Sequence, residues 1–147
     1  MRKVLAMIIV LLMVSSVALA DDLTGFVAKW NSFSKHYGAP VLSSDMLDGD
    51  IFKGDSWRMT VETFGDSYKG IGVYSEDMEN FFPLCAQAGM CIVDDYDGTA
   101  LRMFLGDLLY AFMKVKAGET PPVSLFGYYT FSVQQKGNGY FFAMMGL

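Results

Sequence analysis

Two stretches of alternating polarity flank a helical middle, and this arrangement of periods does most to limit the fold. Trp57, Met59 and Val61 alternate with Arg58, Thr60 and Glu62, the period-two pattern of a strand with one dry face. After the turn Gly65-Asp66-Ser67 a second strand runs from Tyr68 to Tyr74, with Ile71 and Val73 on the dry side. Near the other end, Tyr129, Phe131 and Val133 alternate with Tyr128, Thr130, Ser132 and Gln134. Lys136-Gly137-Asn138-Gly139 supplies residues that accept positive φ, so the chain returns as a hairpin through Tyr140–Met145. That last segment is nearly all apolar, which reads as cover on both faces.

Helices precede and separate these pairs. Leu23, Phe26, Val27, Trp30, Phe33 and Tyr37 recur at helical spacing, with Asp21 or Asp22 to cap the start and Gly38 and Pro40 to stop it. Phe81, Leu84, Cys85 and Ala88 form one face of a second helix within Ser75–Val93. Pro83 fits only a first turn there, and Gly89 reads as its end. Asp97 caps the strongest helix, whose stripe is Leu101, Phe104, Leu105, Leu108, Leu109, Phe112 and Val115. Residues 41–56 read as an irregular approach with a short strand near Ile51-Phe52. The expectation is one α+β domain: an antiparallel sheet of four or five strands, helices packed on one face, in the order α-β-β-α-α-β-β. That order is similar to the chaperone-like α/β sandwiches of bacterial secretion systems, a likeness of element order alone, carried by no motif.

The first 20 residues stand apart. Arg2 and Lys3, the apolar stretch Val4–Val14 and Ala18-Leu19-Ala20 have the layout of a signal peptide cut after Ala20. Asp21 follows the cut, so no cysteine is there to be lipidated. The reading is an exported chain, periplasmic or secreted, with residues 21–147 as the mature domain and no membrane anchor after cleavage. Among later segments the best apolar run, Ala100–Val115, is broken by Arg102, Asp107 and Lys114. Cleavage removes two of the 11 basic residues and none of the 16 acidic ones, taking the net charge from −5 to −7. With the remaining cations scattered singly, nucleic acid is not an expected partner.

Catalytic and metal motifs are thin. Gly54-Asp55-Ser56 and Gly65-Asp66-Ser67 share the opening of the GDSL-type esterase block, but Leu follows neither and the only histidine, His36, lies upstream of both. Both triplets read instead as turns bracketing the Trp57 strand. His36 sits where a helix C-terminus favours a donor or cation, and one imidazole cannot build a zinc or copper cage. Asp45, Asp48 and Asp50, or Asp94, Asp95 and Asp97, are oxygen-rich but fail the EF-hand count and read as turns and caps. The methionines fall in apolar stripes without the regular spacing of a copper binder. No catalytic, metal or cofactor residues are assigned.

Cys85 and Cys91 read as a disulfide, the usual fate of a cysteine pair in an exported chain. Six residues apart in one helix they would be separated by about 9 Å of rise, more than a bridge spans, so a disulfide requires a chain reversal at Gly89.

One surface invites binding. Opposite Ile71 and Val73, the second strand presents Tyr68, Gly70, Gly72 and Tyr74, joined by Tyr128 from a later strand. Two glycines between aromatic rings leave backbone open to close approach. These five residues form the candidate interface for a protein partner, an envelope component or a second copy. The functional expectation is an exported bacterial binding protein without catalysis; the alternative is a small hydrolase with an unrecognised Asp/Ser site.

Overall fold

The computed structural model describes residues 23–36, 38–64, 67–92, 98–121, 123–126 and 129–146. Helix α1 covers residues 23–36, and a 3-10 turn follows at Ser44–Met46. Four strands come next: β1 (Leu47–Asp48), β2 (Ile51–Lys53), β3 (Trp57–Phe64) and β4 (Ser67–Ser75). Helices α2 (Met78–Ile92) and α3 (Gly98–Lys116) precede β5 (Ser124–Phe126), β6 (Tyr129–Lys136) and β7 (Gly139–Gly146). All pairings are antiparallel, in the order β1-β2-β3-β4-β7-β6-β5.

The α+β class is as expected, but among the described residues the sheet has seven strands rather than four or five. The additions are short edge segments, two residues in β1 and three in β5, too brief for a period-two pattern to register. The short strand near Ile51-Phe52 is present as β2.

Alternation places one face of the sheet in the core. Trp57, Met59 and Val61 of β3, Ile71 and Val73 of β4, Phe131 and Val133 of β6, and Phe142 and Met144 of β7 are buried. The helices cover this face: α2 packs on β4 and β7, and α3 on β6. Phe81 of α2 lies 5.7 Å from the Tyr140 ring, and Phe104 of α3 meets Phe131 edge-on at 5.3 Å. Each such side chain removed from water contributes about 1.5–3 kcal/mol, which makes this aromatic layer the main source of cohesion.

Helix α1 closes the β2 end, with Phe26 6.2 Å from Phe52. It stops as expected: Gly38 adopts φ +73° and its N–H donates to the Ser34 carbonyl at 3.1 Å. The following loop is tied back by the Trp30 indole N–H to the Pro40 carbonyl at 2.8 Å. Asn31 pairs with both backbone groups of Leu42, each at 2.8 Å. Gln87 of α2 reaches across to α1, donating to the Trp30 carbonyl at 2.8 Å and to Ser34 Oγ at 2.9 Å.

Helix α2 departs from expectation in three ways. Asp77 caps it, accepting the Glu79 N–H at 2.9 Å, but Pro83 lies in the second turn rather than the first. The helix also runs through Gly89 to Ile92. Glycine is needed there for clearance: a Cβ at 89 would lie 2.2 Å from the tip of the Phe104 ring. Without a chain reversal the disulfide cannot form, and Cys85 and Cys91 are both free thiols, fully buried in the core. Burial pushes the Cys85 thiol well above its ordinary range, and burial raises Cys91 to about 12 against a lowering contribution from the Lys29 charge.

In α3, Phe104, Leu108, Ala111 and Val115 face the core, whereas Leu109, assigned to the same stripe from sequence, is 49% exposed. Among the described residues, no helix is long and apolar enough to cross a membrane.

Candidate functional site

Among the described residues, no helix lies on the second face of the sheet. Arg58, Thr60 and Glu62 of β3 are exposed on it, and Met145 of β7 is 55% exposed. The double cover read from the apolar run Tyr140–Met145 is therefore absent. Its inward set packs on the helices, and Phe141, Ala143 and Met145 point to the open side.

At one end of this face lies a groove of about 520 Å³, bounded by the β2–β3 and β6–β7 turns. The β2–β3 turn is Gly54-Asp55-Ser56, closed by the Gly54 N–H donating to the Trp57 carbonyl at 3.0 Å. That triplet is thus a hairpin turn, as its composition predicts. Gly54 is required because the Trp57 indole lies on it: a Cβ there would be 2.2 Å from Nε1. The β6–β7 turn forms where expected, with Gly137 at φ +62° and Lys136 paired with Gly139.

Strand register sets the floor. Lys53 stands opposite Arg58, Arg58 opposite Tyr74, Tyr74 opposite Phe141 and Phe141 opposite Gln134. Directly opposed residues share a face, so these five side chains make one row across β2, β3, β4, β7 and β6. The two central rings lie down along the sheet. A Cβ on Gly72 would be 3.5 Å from the Phe141 ring, and one on Gly139 would be 2.7 Å from the tip of Tyr74. Each ring therefore rests on a glycine of the neighbouring strand and keeps its other face half exposed.

Charge flanks the rings. The Lys136 ammonium stands 5.6 Å from the Phe141 centroid, a cation–π distance. Lys53 is paired with Asp48, whose carboxyl this hydrogen bond and the lysine's charge hold below its usual range. Arg58 and Lys136 have no ion-pair partner among the described residues. Asp55 and Glu76 also line the groove, and both are exposed.

Of the candidate interface residues, Gly70, Gly72 and Tyr74 lie on this open face. The Tyr68 backbone pairs with Thr63, but its side chain, like the whole of Tyr128, lies outside the described residues. Gly72 lies beneath the chain's own Thr60 and Phe141, and a Cβ on Gly70 would approach Glu62 Oε2 at 3.3 Å. The exposed surface is accordingly made by ring faces rather than bare backbone. Phe141, Arg58 and Lys136 line the groove and do not appear among the candidate interface residues read from sequence. The available signal was the alternation hidden inside Tyr140–Met145.

The other motifs are dispersed. His36 is exposed at the end of α1, Asp45 lies in the 3-10 turn and Asp48 ends β1, and the cluster Asp94, Asp95 and Asp97 lies outside the described residues. Hydrogen bonding from Ser43 holds the Asp45 carboxyl low. Among the described residues, no three His, Cys, Asp or Glu side chains converge as a metal site. No family model, curated protein or solved structure matches the chain.

Proposed function

We propose that the protein is an exported bacterial binding protein, without catalysis, whose working surface is the open face of its sheet. The observation that carries this is the paired Tyr74 and Phe141 rings, held flat by glycines, uncovered by any helix among the described residues and flanked by Arg58 and Lys136. Half-exposed aromatic faces fixed on a rigid sheet offer contact area at small entropic cost, as binding surfaces generally do. Export follows from the leader-like residues 1–20, with the mature chain beginning at Asp21.

The test is affinity capture from the envelope of the producing cell, using the mature chain and two face variants, Phe141→Ala and Arg58→Glu. Material retained by the parent should be lost from both variants while their circular dichroism stays native. Retention indifferent to both changes would remove the open face as the binding surface. Ser56→Ala, at the one serine among the groove's described lining residues, separates this reading from an Asp/Ser hydrolase: capture should persist unaltered.

A further inference from the structure

We infer that the groove is a saccharide subsite for an acidic sugar, a pyranose unit bearing a carboxylate. The inference rests on the open face being the binding surface and specifies what that face takes.

The row Lys53, Arg58, Tyr74, Phe141, Gln134 crosses five strands at about 4.8 Å per step, roughly 19 Å in all. Cations occupy one end, two ring faces the middle, and Lys136 stands over the second ring. A volume of about 520 Å³ falls within the usual range for small-molecule sites. The ligand should present a flat apolar face to each ring and negative charge to Arg58 and Lys136.

The remaining groups narrow the chemistry. Asp55 and Glu76 line the same groove as exposed carboxylates, so the ligand must donate hydrogen bonds as well as carry charge. A sugar ring meets all these demands: its C–H face stacks on an aromatic ring, its hydroxyls donate and accept, and its carboxylate pairs with guanidinium or ammonium.

Competing ligands fit less well. A single-stranded nucleic acid also stacks on aromatic platforms, but it needs a continuously cationic groove to track its backbone, and here Asp55 and Glu76 interrupt Arg58 and Lys136. An extended peptide commonly binds by adding a strand to a sheet edge, and an acidic motif by meeting a cluster of arginines, of which the groove's described lining holds one, Arg58. Here the rings stand on β4 and β7 in mid-sheet, where the backbone groups already pair with neighbouring strands.

The experiment is calorimetric titration of the mature chain with trigalacturonate, maltotriose, oligothymidylate and an oligoglutamate peptide. Trigalacturonate should bind with a Kd of about 1 mM or tighter, and maltotriose at least about tenfold more weakly. Phe141→Ala and Arg58→Ala should each weaken trigalacturonate at least about tenfold, while Arg102→Ala on α3 leaves it unchanged. Amide shift mapping on the unmutated chain should place the contacts at residues 53–58, 74–76 and 136–141, which keeps the test valid if a variant misfolds. The assignment falls if trigalacturonate fails to bind or maps elsewhere. It also falls if oligothymidylate or the peptide binds more tightly at the same residues, a result that leaves the open face standing as the binding surface. Envelope capture indifferent to the face variants would instead remove both readings.

Discussion

Gly89→Ala separates two readings of one residue by the sign of its effect. Within a helix interior alanine is favoured over glycine by about 1 kcal/mol, so a glycine with no packing role would yield a more stable variant. At position 89 the new Cβ would lie 2.2 Å and 2.4 Å from Cζ and Cε1 of Phe104. That ring is 2% exposed and packed edge-on against Phe131, so it cannot swing into solvent. Overpacking of this kind costs about 1–3 kcal/mol. Against the propensity gain, with clearance this short placing the clash at the upper end, the net should be a loss of about 1–2 kcal/mol. For a domain of this size that lowers the midpoint by about 3–10 °C. Urea unfolding followed by far-ultraviolet circular dichroism should show a lower midpoint with an unchanged slope. Phe104→Leu should relieve the clash, giving a coupling of about 1 kcal/mol or more in the double-mutant cycle. A Gly89→Ala variant more stable than the parent, or one additive with Phe104→Leu, would refute the clearance argument and reopen the reversal that a Cys85–Cys91 bridge requires.

Two further perturbations probe the core. Because Cys91 titrates near 12 in the fold and near 9 when unfolded, the folded chain keeps a proton that the unfolded chain releases between those values. Stability is then whole below pH 9 and declines as pH rises, by about 1.4 kcal/mol at pH 10 from this thiol alone, with Cys85 acting in the same direction. Between pH 8 and 10 the parent should lose at least about 1 kcal/mol more than the Cys85→Ala/Cys91→Ala variant in urea unfolding, and equal losses would contradict it. Gln87→Ala removes the amide that bonds Trp30 and Ser34 from α2, and should cost about 2 kcal/mol in lost hydrogen bonds and cavity. Gln87→Met, which keeps the volume and removes the unpartnered Oε1, should cost less; equal thermal midpoints for the two would show the hydrogen bonds to be idle.

What was legible in the chain was whatever neighbouring residues decide. The end of α1 at Gly38, the β6–β7 turn and the inward sets of β3 and β6 each follow from period or turn chemistry within a few residues. Gly89 was misread because a left-handed stop and a clearance for a neighbouring ring look the same locally, and the deciding atoms belong to Phe104 on the next helix. The disulfide expectation fell with it, since it depended on that reversal. Leu109 failed for a geometric reason. The buried arc of α3 is fixed by Phe104, Leu108, Ala111 and Val115, and a stripe that includes Leu109 is wider than the sheet below can cover.

The candidate site was half legible for the same reason. Tyr74 and the glycines of β4 stood out as an aromatic–glycine strand, but their meaning depends on β7, which joins the sheet only after two intervening helices. No local pattern places Phe141 opposite Tyr74 or Lys136 over Phe141, because that register is set by packing the α2 and α3 aromatics against Tyr140 and Phe131, with Phe142 packed in turn on Phe131. The inward side chains of β7 thus determine where its outward ones stand. A change at Tyr140 or Phe142 that shifted the strand by one residue would turn Phe141 into the core and dismantle the platform without touching any residue that lines its floor. The geometry of the open face and the stability of the helical layer are consequently coupled through β7.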